Sequence, residues 1–66
     1  MKYTVLDGIG SNAGEYTTLR QARRRARQLA GGRKATPIAP RLRNSVEAWE
    51  CSETNIGANA EIRKNF

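Results

Sequence analysis

The sequence predicts a small α+β domain of β-α-β-β order, with one strong amphipathic arginine-rich helix packed on a short antiparallel sheet and a short C-terminal helix or strand after it. Three observations predict it. A capped run from about Leu19 to Ala30 carries helical periodicity. Two runs rich in β-formers, Tyr3 to Leu6 and Val46 to Cys51, lie on either side of it. The chain has 66 residues, room for a single domain over 1–66. A chain of that length buries only about 60% of the surface its unfolded form exposes, so few side chains are spared for anything but the core.

The first strand is expected over 2–7, ending at the turn pair Asp7-Gly8. Residues 8–14 hold three Gly, one Ser and one Asn, and read as a loop; Glu15-Tyr16 either extends a strand end or leads into the helix. The helix is expected over 18–31. Thr18 suits the N-cap, Gln21 falls at the capping-box position, and Gly31-Gly32 supplies a positive-φ stop. Leu19, Ala22, Ala26, Leu29 and Ala30 fall on one face, and three of these five are Ala, so the helix can approach a sheet closely. Projected at about 100° per residue, Arg20, Arg24 and Arg27 form a stripe on one flank, with Arg23 at the margin of the apolar sector and Arg25 on the other side.

Beyond the helix, Pro37 and Pro40 confine the stretch 36–42 to an edge strand, because proline has no ladder donor. Asn44-Ser45 suits a turn. Residues 45–51 then read as a strand with Glu47, Trp49 and Cys51 on one face; the rival is a short helix capped by Asn44 with Glu47 at the capping-box position. The tail, 54–66, is open between a helix on Ala58, Ile62 and Phe66 and a strand through Ala58, Ala60 and Ile62.

Charge is the most informative feature. The net charge is +6, and it is unevenly placed: the stretch from Arg20 to Arg43 holds nine of the twelve basic residues, and no Asp or Glu occurs from Tyr16 to Val46. The remainder carries three basic and six acidic residues, so a centre of +9 sits between mildly acidic ends. Nine of the twelve are Arg, whose planar fork matches phosphate and carboxylate oxygens. Arg20, Arg24 and Arg27 make a cationic ridge stepping about 5–6 Å per helical turn. Arg23, Arg33, Lys34, Arg41 and Arg43 are expected to extend it. A face kept charged only for solubility mixes both signs, and this one does not.

Other chemistry is thinly represented. There is no His, and Cys51 is the only cysteine, which excludes a disulfide framework, a structural zinc site built from this chain alone and the commonest general base. Cys51 sits in an apolar alternation and reads as a buried small hydrophobe. The glycines at 8, 10 and 14 match neither the dinucleotide fingerprint nor a P-loop. Glu47, Glu50 and Glu53 read as a solvated edge or as salt partners of the basic helix. The aromatics are Tyr3, Tyr16, Trp49 and Phe66; none lies in the basic stretch, and Trp49 and Tyr3 read as core. No catalytic residue, cofactor or metal is expected, and no apolar run approaches the roughly 20 residues of a membrane span.

The expectation is a non-enzymatic binding module that docks its arginine-rich helix and the adjacent loop on nucleic-acid backbone or a nucleoprotein complex. One strong helix followed by a proline-rich segment is not a helix-turn-helix, so backbone contact is favoured over base readout. The alternative is a small inhibitor or adaptor of the phage or mobile-element type, setting the same arginines against an acidic surface of a larger protein. That second reading is an analogy of plan alone. The short polar N-terminus is no signal peptide, so a reducing cytoplasm is expected, with Met1 as the true start of a complete chain. Pairing of two copies through the edge strand near Ile38 is a further expectation.

Overall fold

In the computed structural model, which describes residues 2–53 and 59–65, the α+β expectation holds and the strand count rises to five. The elements are β1 (Lys2–Asp7), β2 (Asn12–Tyr16), α1 (Leu19–Leu29), a 3-10 turn (Gly32–Lys34), β3 (Ala35–Ile38), β4 (Ser45–Cys51) and β5 (Asn59–Asn65). All neighbours in the sheet are antiparallel, in the order β2-β1-β5-β4-β3. The single helix lies on one face, mainly over β1 and β5.

β2 corrects the expectation of a loop through residue 14. Its sequence, NAGEY, has little β-propensity. What makes it a strand is the turn that folds it back: the Asp7 carboxylate accepts hydrogen bonds from the backbone N–H of Ile9 and Ser11, both at 3.0 Å, and aims the chain along β1. The pairing slips by one residue between Thr4 and Leu6, a bulge that absorbs the irregular sequence.

The helix starts as expected. Thr18 Oγ1 accepts from the Gln21 N–H at 3.2 Å. The reciprocal half of a capping box is absent, because the Gln21 amide oxygen takes the Thr17 hydroxyl instead. α1 is two residues shorter at its C-terminal end than the expected 18–31: Ala30 is the C-cap, and Gly31 turns the chain at φ 103°.

β3 is likewise shorter than the expected 36–42. After Ile38 the chain leaves the ladder, and Glu61 Oε1 accepts from the backbone N–H of Arg41 and Leu42 at 2.9 and 3.0 Å. Donors that would have gone to a strand are satisfied by a side chain. β3 takes the sheet edge expected of a proline-bearing segment. β4 matches 45–51, and the rival helix is overturned: Asn44, at φ 65°, closes the turn into β4.

The tail is the central strand. β5 pairs with β1 from Lys2↔Asn65 to Asp7↔Ala60 and with β4 from Ser45↔Arg63 to Glu50↔Asn59. The strand reading through Ala60 and Ile62 therefore holds and the helix reading falls. Ala58 and Phe66, which those readings also used, lie outside the described residues.

The core is the line where β1, β5 and α1 meet: Val5, Ile62 and Ala60 from the sheet, Ala22 and Ala26 from the helix, all fully buried. Burying Val5 and Ile62 contributes roughly 1.5–3 kcal/mol each. Tyr3, Tyr16, Leu19, Leu29 and Trp49 close around this line. The helix meets the centre of the sheet through the methyl groups of Ala22 and Ala26, flanked by Leu19 and Leu29, and its outer surface is left to long polar side chains.

Candidate nucleic-acid interface

With Ala22 and Ala26 facing the sheet, the 3.6-residue period sends Arg20, Arg24 and Arg27 outward, and all three are exposed. Arg33 follows in the 3-10 turn, also exposed. These four arginines border an open hollow of about 790 Å³, and Arg23, Arg25, Tyr16, Gln21 and Gln28 also line it. Among the described residues none of the four has an ion-pair partner. Four uncompensated guanidinium groups on one surface make a field that attracts polyanions.

Arg23 differs from them in having an acidic partner. Its Nε donates to Glu47 Oε1 at 2.7 Å and its Nη2 to Glu47 Oε2 at 2.9 Å, a two-pronged pair between helix and β4. The Arg23 hydrogen bonds hold the Glu47 carboxyl below its ordinary range, against the opposing effect of partial burial; the Trp49 indole N–H, donating to Glu47 Oε1 at 2.6 Å, assists. Glu47 in turn raises the Arg23 pKa. Arg23 is thus spent on the fold.

The remaining expected cations are dispersed. Lys34 pairs with Glu53. Arg41 lies 3.7 Å from Glu50, in the 39–44 connection that Glu61 ties to the face opposite the helix. Arg43 is exposed in that same connection. Arg25, expected on the other flank and outside the contact set, is half-buried, also lines the hollow, and donates to Gln28 at 3.4 Å. So of the eight expected positions, the structure groups Arg20, Arg23, Arg24, Arg27 and Arg33 around one hollow, pairs Arg23 and Lys34 with carboxylates, and carries Arg41 and Arg43 elsewhere.

Trp49 packs against the core, as expected, but stays half-buried. The Arg27 guanidinium lies over its ring, 5.2 Å from the centroid, the geometry of a cation–π contact. The signal in the sequence was the placement of Glu47 and Trp49 on one face of one strand, which brings a carboxylate and an aromatic to the same flank of an arginine-rich helix.

Cys51 is buried and free, as a small hydrophobe is. Among the described residues no group of three or more His, Cys, Asp or Glu could hold a metal ion, and no helix is long and apolar enough to cross a membrane. No family model matches the chain, and no curated protein and no solved structure matches it.

Proposed function

We propose that this protein is a non-enzymatic nucleic-acid-binding module that sets Arg20, Arg24, Arg27 and Arg33 against backbone phosphates. The observation that carries the reading is their exposure on one surface without an acidic partner, in a domain that pairs Arg23 and Lys34 with carboxylates. A guanidinium left unpaired next to others of its kind repels them, at a cost of a few tenths of a kcal/mol per neighbouring pair on a helix. A polyanion removes that repulsion and releases its own condensed counterions. The lone, buried, reduced Cys51 fits a cytoplasmic setting for such a module.

The test is fluorescence anisotropy with a random-sequence duplex and a random single strand at about 50 and 200 mM salt. Four phosphate contacts predict an affinity loss of about 150-fold on duplex and about 50-fold on single strand across that range. Absence of binding at the lower salt overturns the reading and sets the arginines against an acidic protein surface, a contact with weaker salt dependence.

A further inference from the structure

We infer that the floor beside the arginine ridge takes an unpaired nucleobase on the indole of Trp49, so that the ligand of this surface is single-stranded. The inference rests on the backbone reading above and names its ligand class.

Four observations converge on Trp49, the only tryptophan of the chain. Its ring is half-buried at the foot of the helix, and the helix lies mainly over β1 and β5, leaving the β4–β3 side of the same face thinly covered. Pro37 is its directly paired neighbour on β3 and is exposed, so an apolar ring lies beside the indole on the same face of the sheet. The ring is held by its edge: the indole N–H is fixed on Glu47, which Arg23 grips with two hydrogen bonds. Its face is covered by the Arg27 guanidinium, which has no ion-pair partner among the described residues.

A ring pinned at its edge is a preorganised platform, since no rotamer freedom is lost when a base stacks on it. Arg27 is a cover that can leave: a base displaces it from the ring, and the freed guanidinium swings to the adjoining phosphate, where a charge-assisted contact replaces the cation–π one. The Glu47 carboxylate is neutralised by Arg23 and leaves the floor without net charge. A duplex keeps its bases stacked inside, so only an unpaired base can lie on the ring.

The experiment follows Trp49 emission and affinity at about 50 mM salt with three probes: an oligothymidylate octamer, an abasic deoxyribose-phosphate octamer of equal charge, and a random duplex. The thymidylate is expected to quench the emission and to bind about five- to a hundredfold more tightly than the abasic strand, which leaves the emission unmoved. Trp49→Phe is expected to keep the preference and Trp49→Leu to lose it with its salt dependence retained, circular dichroism and thermal melting showing each variant folded. Equal binding of the two octamers, or a preference that survives Trp49→Leu, overturns the stacking site and leaves the backbone reading standing. Failure of all three probes to bind overturns both.

Discussion

Arg23 and Glu47, 24 residues apart in the chain, are joined by two parallel hydrogen bonds that tie the arginine-rich helix to β4. The pair divides the basic cluster into two populations. Arg23 ties α1 to β4 and, through Glu47, fixes the indole of Trp49; Arg20, Arg24, Arg27 and Arg33 carry the charge that has no acidic partner among the described residues.

That division is measurable as a salt slope. Replacing both partners, Arg23→Gln with Glu47→Gln, leaves the local net charge unchanged, and the dependence of log affinity on log salt is expected to stay as it is. Arg24→Gln is expected to lower the slope by about 0.7–0.9. Arg24→Glu with Arg27→Glu is expected to abolish binding with an unchanged far-ultraviolet circular dichroism spectrum. A slope that falls in the Arg23/Glu47 double variant would count Arg23 among the phosphate contacts.

Glu47 also sets a pH dependence. Its folded-state pKa lies below the ordinary value of 4.5, so its contribution is fully present above that pH and is lost as pH falls below it. Glu47→Gln has no such titration. Urea unfolding is expected to show the wild type more stable than Glu47→Gln by about 1 kcal/mol at neutral pH, a partly exposed pair giving no more. The difference should close as the pH falls below the ordinary carboxylate range and through the lowered folded-state pKa. A gap of constant size would mean that the hydrogen-bond geometry, not the charge, stabilises the contact.

Ala22 and Ala26 fix the distance between helix and sheet, and both are fully buried. Ala22→Leu is expected to destabilise the domain by about 1–3 kcal/mol in chemical denaturation, because a larger side chain must push α1 off Val5 and Ile62. A neutral or stabilising effect would reveal slack in the core that the contact geometry does not suggest.

The helix stop distinguishes two adjacent glycines. Gly32 has φ 61° with open space where a Cβ would go, so Gly32→Ala is expected to cost about 1 kcal/mol. Gly31 has φ 103°, and a Cβ there would lie 2.9 Å from the Cys51 sulfur, so Gly31→Ala is expected to cost about 2 kcal/mol or more. Thermal melting of the two single variants checks the order.

By itself the sequence determined what depends on near neighbours. The existence of α1, the Thr18 cap, the Gly31 stop, the outward stripe of Arg20, Arg24 and Arg27, and the β1 and β4 strands follow from side-chain period and local hydrogen bonding, which act within a few residues. Only the tertiary structure decided the rest. β2 is a strand because β1 offers it a ladder that nothing in NAGEY announces, and β5, which the sequence left open between strand and helix, was decided by its pairing with β1 and β4. The central place of β5 turned the tail into the axis of the core. The choice of Arg23 for Glu47 and of Arg27 for the Trp49 face rests on contacts across more than twenty residues of chain. A one-dimensional pattern places an arginine on a helix flank; which carboxylate or ring meets it is set by the register in which the strands beneath are paired.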